Sequence, residues 1–245
     1  DEELLADVFS YFKDPLEYMD EIGMERFAAI VSDMDSDDAV DVLEELDDAT
    51  RKRLAPLLQA DARKAIRLIR SYDEDEIGSQ MTTNFVRISQ GISVKQATRS
   101  LILQADKNDN INTIYVSDGE RHYVGAIDLK DLITAREYDD LEDIIVSSYP
   151  YVFAEEKIDA CVDKIKEYAE DSIPVLDEER RIVGVITATD ITELVDEEMG
   201  EDYAMLAGMT EASDLDETTF QSMKKRLPWL ILLLFLGMGV SSVVG

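Results

Sequence analysis

The feature that most constrains the fold of this chain is an internal repeat in its second half. Residues 115–132 align with residues 174–191 without a gap, at a constant offset of 59 positions. The matching pairs are Val116/Val175, Asp118/Asp177, Arg121/Arg180, Val124/Val183, Gly125/Gly184, Ile127/Ile186 and Asp131/Asp190. A repeat of this kind predicts two copies of one supersecondary unit that fold in the same way.

The segments around both copies alternate between strand-like and helical patterns. Runs rich in β-branched and aromatic residues occur at 85–88, 113–116 and 173–176, and helical patterns separate them. This alternation is typical of α/β domains. We therefore expect a first α/β domain over residues 81–140 and a second over residues 141–200.

Residues 1–80 are predicted to be entirely helical and contain a shorter repeat. Met34, Leu46 and Leu58 follow one another at intervals of 12 residues, and each precedes a polar helix start. Asp35 or Ser36, and Asp47, are suited to cap the next helix. Short helices cannot bury an apolar face alone, so the pattern favours an all-α superhelical repeat domain. An ordinary small helical bundle is the alternative.

The carboxy-terminal end differs from the rest of the chain. Residues 227–245 contain no charged side chain, follow Lys224-Lys225-Arg226 and include Trp229. A bilayer span needs about 20 apolar residues, and basic residues favour the cytoplasmic side. We predict that residues 227–245 begin a first transmembrane helix, that 201–226 form an acidic linking helix, and that 1–226 are cytoplasmic. A buried helix of a globular domain is the alternative.

The charge balance excludes one class of partner and limits the chemistry of any metal site. The chain has 24 Lys+Arg and 55 Asp+Glu, a net charge of −31, so it lacks the basic surface that binds nucleic acid. One Cys and one His, Cys161 and His122, provide neither a thiolate zinc site nor a distinctive catalytic pair. We therefore expect a protein that is not an enzyme. Any metal would be a hard cation bound through oxygen.

The acidic residues concentrate in two segments that contain no basic residue. Residues 35–48 hold eight acids, and residues 190–217 hold eleven. Asp37 and Asp41 have the i,i+4 spacing of one helix face, and Asp190 and Glu193 have i,i+3 spacing. Like charges at these spacings destabilise a helix, which a divalent cation would relieve. A solvated acidic face is the alternative.

The end of each repeat carries a motif that resembles the CBS domain family, with the tandem resembling a Bateman module. Residues 184–190 read Gly-Val-Ile-Thr-Ala-Thr-Asp, and the resemblance implies that Thr187 and Asp190 contact the ribose of ATP or another adenine nucleotide. The first copy departs from the motif, with Asp128 where Thr is expected. Both aspartates that end the motifs, Asp131 and Asp190, also suit simple helix caps.

The order of these parts is similar to that of the MgtE family of magnesium transporters and channels. The resemblance rests on a helical domain, a CBS pair, an acidic linker and a span that opens Arg-Leu-Pro-Trp-Leu, together with residues 72–82. It implies a homodimer formed through the CBS domains, attached to its own transmembrane domain in a multi-pass protein of the cell membrane. Mg²⁺ would bridge the acidic domains and close the pore. The implied ligands are Asp37, Asp41, Asp190, Glu193, Glu198, Glu201 and Asp202.

Two other functions fit part of the sequence. One is an adenine-nucleotide-sensing CBS module that regulates another membrane protein, which needs the repeats but not the acidic segments. The other is a tail-anchored acidic scaffold whose helical repeats bind a basic partner. A response to nucleotide without a response to Mg²⁺ would favour the first.

Overall fold

The computed structural model describes residues 5, 6, 8, 9, 16–105, 108, 110–165 and 170–195. Three predicted ligands, Glu198, Glu201 and Asp202, lie outside these residues, as do the predicted linking helix and transmembrane segment. Within the described part of the chain, no helix is both long enough and apolar enough to cross a membrane.

The amino-terminal region is helical, as predicted, and its helices follow the 12-residue period. The helices are α1 (Leu16–Ile22), α2 (Met24–Asp33), α3 (Ser36–Glu45), α4 (Asp48–Leu54) and α5 (Ala60–Ile69). The residues directly before α3, α4 and α5 are Asp35, Asp47 and Gln59, at intervals of 12. The superhelical arrangement of these helices stays a prediction.

The apolar positions of these short helices meet in one core. Phe27, Ile30 and Val31 of α2 are fully or almost fully buried, as are Leu54 and Ile69. Helix α3 packs against α5, and α2 packs against α1, α3, α4 and α5. Burying an apolar side chain of this size contributes about 1.5–3 kcal/mol, so stacking supplies the stability that each short helix lacks.

The two sequence repeats fold into two three-stranded sheets of the same topology. The first contains β1 (Val86–Ser89), β2 (Thr113–Ser117) and β3 (Tyr123–Asp128), with helices α6 (Val94–Gln104) and α7 (Leu129–Thr134). The second contains β4 (Val152–Phe153), β5 (Ser172–Leu176) and β6 (Ile182–Thr187), with helix α8 (Ile158–Ile165). In each sheet the first two strands are parallel and the last two antiparallel. The prediction of a tandem of mixed α/β units is confirmed.

A backbone exchange joins the two repeats. Thr82, which precedes the first repeat, pairs with Val185 in β6, and Val146, which precedes the second, pairs with Ala126 in β3. The segment leading into each repeat therefore bonds to the sheet of the other. Short 3₁₀ helices at Ile77–Gln80 and Leu141–Ile144 come before these pairings.

Two repeated glycines allow this exchange. A Cβ atom on Gly125 would lie 2.6 Å from the Val146 carbonyl oxygen, and one on Gly184 would lie 2.8 Å from the Thr82 carbonyl oxygen. These separations are too short for a side chain, so glycine is required where the exchanged backbone passes each sheet.

Aromatic side chains from both repeats pack between the sheets. Tyr115 is completely buried, and its Oη atom lies 2.6 Å from Ser172 Oγ of the other repeat. Tyr149 Oη donates a hydrogen bond to the Ser172 carbonyl at 2.8 Å. Both hydroxyl groups have partners, and that of Tyr115 connects the two repeats, because Ser172 belongs to the other one.

Two single residues considered as enzyme candidates have structural roles. Cys161 is completely buried in α8, as its apolar pattern predicted. His122 is half-buried in the β2–β3 turn, where its Nδ1 atom lies 3.1 Å from Asp118 Oδ2. It pairs through the backbone with Arg181, the residue at the same position of the second repeat.

Candidate functional site

The amino end of α3 contacts the segment that leads into the first repeat. Asp35 Oδ1 accepts hydrogen bonds from Asn84 Nδ2 at 2.8 Å and from Thr82 Oγ1 at 3.2 Å. The Ser36 hydroxyl lies 2.8 Å from Thr83 Oγ1 and accepts a bond from the Thr83 amide at 3.2 Å. Five side chains and the Thr83 amide thus attach the amino-terminal helices to the repeats.

The same segment leads directly to the end of β6. Thr82 and Val185 each donate a backbone hydrogen bond to the other, both of 2.9 Å. Two residues later, Thr187 ends β6, and residues 188–195 are helical. The exchange therefore places the amino end of α3 beside β6, the strand that leads into the second acidic segment.

Thr187 and Asp190 hold the first turn of this helical stretch. The Thr187 amide donates to Asp190 Oδ2 at 2.7 Å, and the Asp190 amide donates to Thr187 Oγ1 at 3.3 Å. This reciprocal pair has the form of a capping box, which satisfies backbone donors that a helix start leaves open. The structure therefore shows the capping role for Asp190, and ribose binding by Thr187 and Asp190 stays a prediction.

Asp37 lies in the first turn of α3, where a negative charge on its side chain is unfavourable. Burial is the largest cause that raises its pKa from 3.8 to about 9. The neighbouring carboxylates add to this rise in the order Asp190, Asp35 and Asp38. The Oδ1 atom of Asp37 is buried and has no hydrogen-bond partner within the described residues. A carboxylate in this setting binds either a proton or a cation.

Two further predicted ligands lie within the described residues. Asp41 lies one turn further along α3 and is exposed, and Glu193 is also exposed. The described residues contain no group of three or more Asp, Glu, His or Cys side chains with metal-binding geometry. The link between the two acidic segments that the structure supports is therefore electrostatic, the negative charge of Asp190 raising the pKa of Asp37.

The sequence did not reveal the contacts of Asp35 and Ser36. Asp35 or Ser36 was expected to cap α3, but Asp35 makes no side-chain hydrogen bond to the start of that helix. Its partners Thr82 and Asn84 lie 47 and 49 residues away, so no local pattern connects them. By contrast, Asp47 caps α4 as expected, accepting bonds from the amides of Ala49 and Thr50.

Known proteins share this combination of domains. The profile of the MgtE intracellular N domain matches residues 1–75, and that of the CBS domain matches residues 74–138 and 141–197. The crystal structure of the soluble part of a magnesium transporter is 30% identical, with a TM-score of 0.73 over 80% of this chain and 78% of that chain. The chain belongs to the MgtE family.

Other MgtE proteins agree with this membership. The cytosolic domain of the Mg²⁺ channel MgtE in complex with ATP is 28% identical, with a TM-score of 0.72 over 79% of this chain and 80% of that one. The magnesium transporter MgtE of Enterococcus faecalis is 35% identical over 71% of this chain and 38% of its own length. This chain spans half or less of the length of the curated MgtE relatives it matches. Since the relatives are transporters, the prediction that the chain is not an enzyme is confirmed.

Proposed function

We propose that this chain is the Mg²⁺-sensing cytosolic region of an MgtE magnesium channel or transporter, and that it closes the pore when intracellular Mg²⁺ bridges its acidic domains. The observation that carries the proposal is the buried, unpaired Oδ1 atom of Asp37 beside the charge of Asp190. This pair lies where the amino-terminal helices meet the second repeat. A cation at that contact would favour the docked arrangement over a separated one.

The residues at this contact suit a magnesium ion. Mg²⁺ binds through oxygen, uses one or two carboxylates and retains several waters, so a complete protein cage is not required. Asp37 and Asp190 provide the central carboxylates, and Asp41 and Glu193 lie on the two acidic helical segments. By the family resemblance, Glu198, Glu201 and Asp202 complete the set. Bound Mg²⁺ supplies positive charge that neutralises these carboxylates.

The mechanism follows from the chain's own charges. When Asp37 and Asp190 are both ionised, their repulsion and the burial of Asp37 oppose docking of α3. The amino-terminal helices then separate from the repeats. Docking restores the contacts of Asp35 and Ser36, and the linking helix at 201–226 transmits the compact state to the membrane-spanning part. The ion acts by shifting the population between two arrangements, through its higher affinity for the docked one.

The partner we propose for this region is a second copy of the chain, in addition to its own transmembrane domain. Three apolar side chains of the first repeat are about two-thirds exposed: Ile102 at 66% and Leu103 at 70% on α6, and Ile133 at 68% on α7. Helices α6 and α7 contact each other, and we propose that these three residues belong to one apolar surface. Burying this surface would favour a dimer.

A nucleotide function is the second candidate. Its support is the relative crystallised with ATP and the motif residues Thr187 and Asp190. In this chain Thr187 Oγ1 and Asp190 Oδ2 already accept helix-cap hydrogen bonds, so a ribose that needs these acceptors would have to compete with the cap.

Calorimetry on the whole chain separates these functions. We expect heat of binding on titration with Mg²⁺ in wild-type protein, and an affinity at least about tenfold weaker in Asp37→Asn, since a charged ligand is replaced by a neutral amide. Glu120→Gln, an exposed carboxylate in the β2–β3 turn, is the matched control and should bind as wild type does. Binding of ATP with no binding of Mg²⁺ would contradict the proposed Mg²⁺ sensing and support the nucleotide function instead.

A further inference from the structure

Two aspartates at equivalent positions of the 12-residue repeat use their side chains differently. Asp47 precedes α4 and accepts hydrogen bonds from the amides of Ala49 and Thr50, the ordinary behaviour of a cap residue. Asp35 precedes α3 and makes no such bond. A side chain that gives up a local cap, which contributes about 1 kcal/mol, has a competing interaction elsewhere.

That interaction crosses to the repeats. Asp35 accepts from Asn84 and Thr82, and the neighbouring Ser36 is joined to Thr83. Within the segment itself, the Thr82 hydroxyl also accepts from the Asn84 amide at 3.2 Å, which orders the turn that presents these side chains. We call the five residues Asp35, Ser36, Thr82, Thr83 and Asn84 the docking latch.

We propose that the docking latch attaches the amino-terminal helices to the repeats without a metal ion, and that it thereby positions Asp37 against Asp190 and sets the Mg²⁺ concentration at which docking occurs. This inference rests on the proposed function, which it deepens by adding positioning residues that do not bind the ion. None of the latch residues belongs to the predicted ligand set.

The geometry explains how the latch controls the ion site. Asp35 is two residues before Asp37, so fixing Asp35 on Asn84 fixes the first turn of α3. On the other side, Thr82 is bonded to Val185, two residues before Thr187, whose cap holds Asp190. Hydrogen bonds and two short stretches of backbone therefore link the positions of Asp37 and Asp190.

The latch bonds and the approach of Asp37 to Asp190 have interaction energies of opposite sign. The latch bonds are attractive, and the one from Asn84 to the Asp35 carboxylate is charge-assisted. The approach of Asp37 to Asp190 is repulsive without a cation. Latch strength consequently offsets part of the repulsion, so that a stronger latch lowers the Mg²⁺ needed for docking and a weaker latch raises it.

The test is energy transfer between dyes on the two parts of the whole chain. Lys52 and Glu120 are both exposed, one on α4 and one in the β2–β3 turn, and cysteines placed there accept the dyes while Cys161 is buried. The midpoint of the Mg²⁺ titration is compared in wild type, Asn84→Ala, Ser36→Ala and Asp47→Ala. The first two substitutions change no charge and remove latch bonds, and the third removes an ordinary cap.

We expect Asn84→Ala and Ser36→Ala to raise the Mg²⁺ midpoint about three- to tenfold, the effect of one or two hydrogen bonds. Asp47→Ala should lower the melting temperature but leave the midpoint within about twofold, because its bonds stay within α4. An unchanged midpoint in both latch variants would overturn the inference. So would an equal shift in Asp47→Ala, which would mean that helix stability alone sets the midpoint.

A second experiment, in the Asp37→Asn variant, distinguishes the effect of the latch from that of the ion site. In Asp37→Asn the repulsion is reduced, so docking should occur in EDTA, and adding Asn84→Ala should lower the transfer efficiency there. If the transfer efficiency does not fall, the inference that the latch holds the two parts together is wrong, whatever the response to Mg²⁺. If the wild type ignores Mg²⁺ while this EDTA effect is present, the proposed function fails and the latch remains as a metal-independent docking contact.

Discussion

Asp37 combines burial, neighbouring negative charge and an unpaired oxygen. We expect Asp37→Asn to raise the free energy of unfolding in EDTA by at least about 2 kcal/mol at pH 8, because folding at this pH requires Asp37 to take up a proton, whereas the amide is neutral in both states. Urea denaturation followed by circular dichroism measures this. Asp41→Asn is the matched control on the same helix, and since Asp41 is exposed its stability in EDTA should change little. Destabilisation by Asp37→Asn would contradict this reading.

The pKa of Asp37 predicts how that difference depends on pH. The value is about 9 in the folded chain and 3.8 as the reference for the unfolded one. Asp37 is protonated in both states below that reference, so its charge then costs nothing. As pH rises from about 4 to 9, the wild type loses stability through this group, while Asp37→Asn does not titrate. The difference in the free energy of unfolding between Asp37→Asn and wild type should therefore widen from pH 5 to pH 8. A constant difference would contradict the raised pKa of Asp37.

At the scale of elements, the exchanged segments depend on the two glycines that they pass. We expect Gly125→Ala to destabilise the chain by about 1–3 kcal/mol, because the new Cβ would meet the Val146 carbonyl oxygen at 2.6 Å. Gly119→Ala, in the β2–β3 turn, has nothing within 4 Å of its Cβ and should change stability by less than about 0.5 kcal/mol. Thermal melts compare the two, and equal effects would mean that the exchange does not require glycine.

The positions and types of these elements could be predicted from the sequence, but their long-range pairing could not. The 12-residue period located the starts of α3, α4 and α5, because a polar residue before an apolar run is a local signal. The 59-residue repeat predicted two like sheets, because the same pattern folds the same way. Neither pattern predicted that each leading segment bonds to the other repeat, since that depends on backbone contacts far apart in sequence.

The candidate site, like the fold, could be predicted from the sequence only in part. The spacing of Asp37 and Asp41 put two carboxylates on one helix, and the structure places the first of them near Asp190. The partner of Asp35 could not be predicted, because Asn84 has no distinctive local pattern. At Asp190 the sequence left two roles open, and the structure shows the cap because the bonds with Thr187 lie within a single turn.

At the scale of the whole molecule, the proposed dimer depends on the exposed apolar surface of the first repeat. We expect Leu103→Asp to weaken self-association at least about tenfold, because a charge would be buried in the proposed interface. Sedimentation equilibrium of the chain measures this. Leu57→Asp, which alters an exposed leucine among the amino-terminal helices, should leave the association unchanged. Dimers of equal strength in both variants would place the interface elsewhere.

The central claim is that Mg²⁺ closes the contact between the amino-terminal helices and the repeats, and limited trypsin digestion tests it directly. The exposed Arg70 directly follows α5, just before the segment that joins the two parts. We expect millimolar Mg²⁺ to slow cleavage there at least about tenfold in wild type, while a sodium salt of equal ionic strength does not. In the double variant Asp37→Asn with Asp41→Asn, Mg²⁺ should add little protection. Equal Mg²⁺ protection of wild type and double variant would contradict the account.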